Sequence, residues 1–150
     1  MNSKRNSAGT VLVVDDQDIL RLLMCKTFEN GGFRVLTASN GADALSLFRG
    51  AEPQVDLLVT DYRMPGMTGL ELACECCSLN NALSVLYISG SSPGDDLHEN
   101  LRLERRAFLA KPFRHSDLLR SARALLAMEP EAASSRENHW PALGQLGMES

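Results

Sequence analysis

No run of apolar residues in this 150-residue sequence approaches the roughly 20 needed to cross a bilayer. Lys4 and Arg5 are not followed by an apolar stretch before a cleavage site, so no secretory leader is expected and a cytoplasmic location is the default reading. Positive charge is not in excess: the net charge is −4, which argues against chain-wide affinity for nucleic acid and leaves only a local basic patch open. Cysteines are few and badly spaced for a framework, with Cys74, Cys76 and Cys77 bunched and Cys25 alone. Neither a set of disulfides nor a zinc site follows from that pattern, and the thiols read as reduced and structural. Phosphate-binding and dinucleotide-binding glycine fingerprints are missing, so nucleotide binding is not indicated. No internal repeat is present. What remains is an ordinary globular composition, 44% hydrophobic and 23% charged, in a chain long enough for one domain with a proper core.

Within that domain, short apolar runs alternate with helical patterns. Thr10–Val14, Phe33–Thr37, Val55–Thr60, Ser84–Ser89 and Ala107–Ala110 read as strands, the first so continuously apolar that both its faces must be covered. Between them, 19–30, a stretch from Asn40 through Phe48, 69–79 and a segment from Asp95 or Asp96 to about Arg105 read as helices, with Gly31-Gly32 as a stop and Asn40 as an N-cap. A last helix is expected from about Ser116, burying Leu118, Leu119, Ala122, Leu125 and Leu126. Five strands, each followed by a helix, predict an α/β fold with a parallel sheet and right-handed crossovers. Residues 1–9 are expected to be a flexible N-terminus, 10–128 the folded domain, and 129–150 a disordered or loosely packed tail, with a small docking motif of Trp140, Pro141 and Leu143 as the alternative reading.

All strands of a parallel sheet point one way, so the residues that close them share one edge. Here these are Asp15 and Asp16, Asp61, Ser89 and Lys111, at the edge where open α/β sheets take their ligands. At about 4 Å and an effective dielectric near 20, each like-charged carboxylate pair costs on the order of 4 kcal/mol. Protons or a cation must offset that repulsion. An oxygen-rich site of this kind suits Mg²⁺, and Lys111 supplies a point charge for a phosphate oxygen. Taken singly, an Asp-Asp pair is as often a helix cap, Ser89 is better read as a turn residue, and Lys111 as a solvated charge. Their joint placement at the ends of four strands favours a functional site.

The segments VLVVDDQD, LLVTDYRMPGMTG, YISG and FLAKPF resemble the signature segments of response-regulator receiver domains of two-component signal transduction, of the chemotaxis-regulator type. The resemblance spans about Thr10 to Met128. It implies a flavodoxin-like, doubly wound five-stranded sheet of order 2-1-3-4-5 with helices on both faces. Asp61 would then be the phosphoacceptor, served by a histidine kinase or a phosphotransfer protein. Asp16, Asp61 and the backbone carbonyl of Arg63 would hold Mg²⁺, with Asp15 acting through water. Lys111 would hold a phosphoryl oxygen and Ser89 would donate to it, while Phe108, three residues before the lysine, would be the switch aromatic. Lys111-Pro112 would be a cis peptide. The surface made by the fourth helix, fifth strand and fifth helix would then act on an unknown downstream protein, without direct nucleic-acid binding or membrane insertion.

Departures from the family pattern carry their own expectations. Arg63 and Ser91 flank the phosphate, and a long cation at Arg63 suggests slow self-dephosphorylation. Leu101–Arg106 lacks the glycine that would close the fourth helix, which makes that helix short or displaced. Arg102, Arg105 and Arg106 read as a solvated helix face, or as a contact for an acidic partner. Phe108 has no hydroxyl, so packing alone would govern the switch. His98, His115 and His139 read as surface residues. Two rival functions stay open: a receiver-like interaction module that works without phosphorylation, and a phosphatase with an aspartyl nucleophile. The second wants an acid two residues after the nucleophile, where Arg63 stands. No output domain is expected after Met128, so a free-standing regulator and a receiver cut from a hybrid kinase remain alternatives.

Overall fold

A computed structural model describes residues 8–128. The expectations for 1–7, for the tail from 129, and for His139 and Trp140 lie outside the described residues. Element order is β1 (Thr10–Val14), α1 (Asp18–Asn30), β2 (Arg34–Ala38), α2 (Gly41–Gly50), β3 (Leu57–Asp61), α3 (Gly69–Leu79), β4 (Ser84–Ser89), α4 (Asp95–Leu101), β5 (Arg106–Ala110) and α5 (His115–Leu126). The five strands are parallel in the order β2-β1-β3-β4-β5, as the resemblance implied.

Alternation along the central strands feeds two cores. Val11, Val13, Leu57, Val59, Leu86 and Ile88 pack on one face with Met24 and Phe28 of α1 and Leu118, Ala122 and Leu125 of α5. Leu12, Val14, Leu58, Val85 and Tyr87 pack on the other with residues of α2, α3 and α4, among them Phe48, Leu72 and Leu97. Successive side chains of a strand point to opposite faces, so one apolar run supplies both layers. β2 and β5 are the edge strands and are only partly covered.

Local chemistry sets the element ends. Gly32, at φ +93°, closes α1 in a left-handed turn that favours glycine. Gly32 N–H donates to Glu29 O and Phe33 N–H to Phe28 O, both at 3.0 Å, and the two phenylalanine rings meet edge to face at 5.4 Å. Together these complete a Schellman cap with its apolar contact. Asn40 caps α2 by accepting Asp43 N–H at 2.8 Å. Thr68 and Glu71 form a reciprocal capping box at the start of α3.

Several sequence readings shift. β2 starts and ends one residue later than expected, and β3 runs on to include Asp61, because the ladder continues as far as backbone partners exist. α5 starts at His115, not after Ser116: Arg114 is its N-cap residue, and its N–H is taken by Asp117 at 3.0 Å. Leu23 is half exposed, so α1 buries its C-terminal half better than its start.

The expected shortness of α4 holds, since it ends at Leu101. In place of the absent glycine, Arg105 itself takes φ +56°, a conformation costing roughly 1–2 kcal/mol for a side-chain-bearing residue. Arg105 is 6% exposed and its guanidinium donates to Asn81 O at 2.8 Å. Arg106 donates to Glu104 O at 2.8 Å and to Cys77 Sγ at 3.0 Å. The solvated-face reading therefore survives for Arg102 alone. The chain leaves the helix before the other two arginines and turns them inward.

All four thiols are free. Cys76 is buried in the core, and burial pushes its pKa to about 12. Among the described residues no helix is long and apolar enough to cross a membrane.

Candidate functional site

Backbone pairing carries the sheet one residue past its strands and so fixes the site. Asp15 N–H donates to Ala38 O at 3.2 Å, Tyr62 N–H to Ile88 O at 2.8 Å, and Lys111 N–H to Ser89 O at 2.8 Å. Each residue beside the site is thereby anchored to a neighbouring strand. Carboxylate oxygens of Asp15, Asp16 and Asp61 all lie within 4.8 Å of one another. Lys111 Nζ is 3.5 Å from Asp61 Oδ1 and 3.7 Å from Asp15 Oδ2.

Exposure differs sharply across the cluster. Asp15 is fully buried and Asp61 is 6% exposed, whereas Asp16 is open to solvent. Burial raises the Asp15 carboxyl pKa above its ordinary value, partly offset by the Gln17 N–H bond and Lys111. Burial and then the charge of Asp15 raise that of Asp61, with Lys111 opposing. Asp15 Oδ1 accepts Gln17 N–H at 2.8 Å, but Asp15 Oδ2 is buried with no hydrogen-bond partner. A buried carboxylate oxygen without a hydrogen bond, neighboured by the Lys111 ammonium at 3.7 Å and by two more carboxylates, belongs to a donor set of hard oxygens that fits a small divalent cation.

The other expected residues surround this cluster at different depths. Ser89 is buried at the end of β4, one step past Ile88, the register partner of Asp61. Its hydroxyl accepts Ser91 N–H at 3.1 Å. Phe108 stands opposite Tyr87 in the β4–β5 register and is half-buried. Arg63 is exposed, and its guanidinium lies 5.5 Å from the centre of the Tyr62 ring. Among the described residues it forms no ion pair with an acid. The Lys111–Pro112 peptide is cis, as is Glu52–Pro53, which the sequence reading did not anticipate. His98 and His115 are exposed, the latter with Nδ1 2.6 Å from Thr27 Oγ1.

Three neighbours were not read from the sequence. Gln17 takes a bond from Lys111 Nζ at 3.4 Å through Oε1, holding the lysine over the acids. Its position directly after the acid pair was the available signal. Tyr62 reaches Asp96 across 34 positions, and Tyr87 donates to Asn100 Oδ1 at 2.7 Å across 13. Neither has a local sequence signature, because both depend on where α4 comes to rest.

Comparison with known proteins agrees with this geometry. The family model for the response regulator receiver domain matches residues 11–123. A two-component response regulator of Oryza sativa subsp. japonica is 35% identical over 119 residues, 78% of this chain and 88% of its own length. Sporulation initiation phosphotransferase F of Bacillus subtilis is 30% identical over 103 residues, 69% of this chain and 82% of its own. A longer two-component response regulator of Arabidopsis thaliana is 29% identical over 132 residues, and this chain spans only 21% of its length. Among solved structures, a response regulator receiver protein from Sinorhizobium medicae matches with TM-score 0.70 at 30% identity, over 79% of this chain and 94% of that one.

Proposed function

Because this chain belongs to the response regulator receiver domain family, we propose that it is a cytoplasmic phosphoacceptor of a two-component phosphorelay, with Asp61 as the acceptor. The observation that carries this reading is the convergence of three carboxylates within 4.8 Å on a lysine ammonium 3.5 Å from Asp61. A cluster so costly to assemble needs a use for its charge.

In the proposed reaction an Asp61 carboxylate oxygen forms a bond to phosphorus as the phosphorus–nitrogen bond of a phosphohistidine, on a histidine kinase or phosphotransfer protein, breaks. The bonding pair leaves with the imidazole, and Asp61 becomes a mixed anhydride. Asp16, Asp61 and the Arg63 carbonyl would hold Mg²⁺, with Asp15 reaching it through water. When bound, the ion neutralises charge that builds on the transferring group.

Lys111 favours the ionised, attacking form of Asp61, opposing the burial that raises its pKa, and then accompanies a phosphoryl oxygen. Ser89 donates its hydroxyl proton to another oxygen as it moves inward, and Phe108 turns into the space released. The surface of α4, β5 and α5 shifts its population accordingly. The chain works as a signalling acceptor rather than an enzyme.

Incubation with acetyl phosphate and Mg²⁺ should add one phosphoryl group by intact mass, mapped to Asp61 and absent from Asp61→Ala. No added group, or one that persists in that variant, sinks the proposal. Arg63 and Ser91 border the product, and Arg63 on the Tyr62 ring restricts the approach of water. Arg63→Asn should therefore lose phosphate roughly threefold faster, a barrier change of about 0.7 kcal/mol. Equal decay rates would remove Arg63 from the mechanism.

A further inference from the structure

The residue after the proposed acceptor is tied to the helix that follows the Ser89 loop. Tyr62 directly follows Asp61, and its ring packs against the core under α2, α3 and α4. Its hydroxyl donates to the Asp96 carboxylate, 3.0 Å from Oδ1 and 3.2 Å from Oδ2. Asp96 lies in the first turn of α4 and also accepts Leu97 N–H at 2.8 Å. α4 has only 7 residues, and its N-cap, Gly94, has no side chain to hold it. The segment from Ser89 to Asp96 is thus held at both ends. The Ser89 hydroxyl is engaged by Ser91 N–H at the near end, and Tyr62 grips Asp96 at the far end.

We propose that the Tyr62–Asp96 bond is a latch that holds the β4–α4 segment in its unphosphorylated arrangement and so opposes phosphorylation of Asp61. The inference rests on the phosphoacceptor reading, because it is the movement of Ser89 toward a phosphoryl oxygen that the latch resists. Ser89 Oγ accepts from Ser91 N–H and keeps its own proton free to donate, so drawing Ser89 toward a phosphoryl oxygen pulls the attached segment with it. A segment pinned at Asp96 shifts less readily. Linkage makes the coupling reciprocal: a ligand that draws Ser89 inward must loosen Tyr62 from Asp96 by the same factor. Tyr62 is a positioning residue in this scheme and touches no reacting atom.

Beryllofluoride with Mg²⁺ serves as the phosphoryl mimic, and hydrogen exchange of residues 90–101 reads the segment directly. Tyr62→Phe keeps the packed ring and removes only the hydroxyl. It should bind the mimic roughly threefold to tenfold more tightly, the range for losing a hydrogen bond to a charged group that is partly open to water. Asp96→Ala, which also gives up the Leu97 N–H bond, should bind the mimic at least as tightly, and adding Tyr62→Phe to it should change little, because the Tyr62–Asp96 bond is already gone. Asp96→Asn, which keeps an acceptor oxygen, should restore most of the wild-type affinity. Exchange in 90–101 should quicken in Tyr62→Phe without ligand and in the wild type on adding beryllofluoride. A merely structural role for Tyr62 would lower stability and leave mimic affinity unchanged or weaker. If the wild type binds the mimic and both single variants bind it no more tightly, the latch is overturned. If the wild type binds none, the phosphoacceptor reading fails and the latch with it.

Discussion

Asp61→Asn should raise the melting temperature of the metal-free chain at neutral pH by several degrees while abolishing phosphorylation. The carboxylate oxygens of Asp15, Asp16 and Asp61 lie within 4.8 Å. At that separation and an effective dielectric near 20, a like-charged pair costs about 3 kcal/mol before Lys111 offsets part of it. The Asp15 and Asp61 pKa values are both raised, first of all by burial. A carboxyl whose folded pKa lies above its unfolded one contributes stability that is complete below the unfolded value. That contribution is lost as pH rises through the folded value. At neutral pH both ionised groups therefore cost stability, and removing one charge returns part of it, about 1–2 kcal/mol after allowance for Lys111. The gain should shrink as pH falls through the raised pKa of Asp61 and vanish below the ordinary aspartate value of 3.8. Millimolar Mg²⁺ should stabilise the wild type more than the variant, closing the gap from the other side. Thermal melts at pH 7 and pH 4, each with and without Mg²⁺, test this. A variant less stable than wild type at pH 7 would mean that attraction to Lys111 outweighs the repulsion.

Gly69→Ala should lose roughly 3 kcal/mol of stability, at the upper end of what overpacking costs. Gly69 opens α3, and its N–H donates to Tyr62 O at 2.9 Å. A Cβ at Gly69 would overlap the backbone carbonyl oxygen of Asp61 and crowd Tyr62 Cα. Backbone cannot step aside as the end of a long side chain can, so either α3 or the acceptor strand must shift. Phosphorylation should slow along with the loss of stability, because the displaced atoms belong to Asp61 itself. Gly90→Ala is the control. It directly follows Ser89, but a Cβ there meets nothing within 4 Å, so its effect should stay within about 0.5 kcal/mol. Equal denaturation midpoints for the two variants would show that α3 is free to move away, and that glycine is not required at the α3–β3 contact.

The two cores were legible because apolar runs such as TVLVV and SVLYIS must be buried wherever they lie, and strand alternation divides them between two faces. The polar edge was legible for a related reason: a parallel sheet gathers its strand ends, so Asp15, Asp61, Ser89 and Lys111 had to share one rim. Element ends were less so. Arg105 adopts the left-handed turn that glycine would normally take, and only the structure shows its guanidinium turned inward and bonded to Asn81 O. Ile19, Leu22 and Leu23 keep much of their surface in water despite helical spacing. Periodicity marks a helix, but which part of its stripe is covered depends on how its neighbours lie across it.

The order of residue types along the chain was enough to determine a five-stranded α/β domain with an acidic, lysine-bearing edge. Those features follow from local rules, the burial of apolar side chains and the shared direction of parallel strands. The tertiary structure alone decided that Asp15 is sealed from water while Asp16 is open, that Gln17 steadies Lys111, and that Tyr62 holds Asp96. Burial and long-range hydrogen bonds depend on distances between segments far apart in sequence, and those distances exist only once the layers have packed.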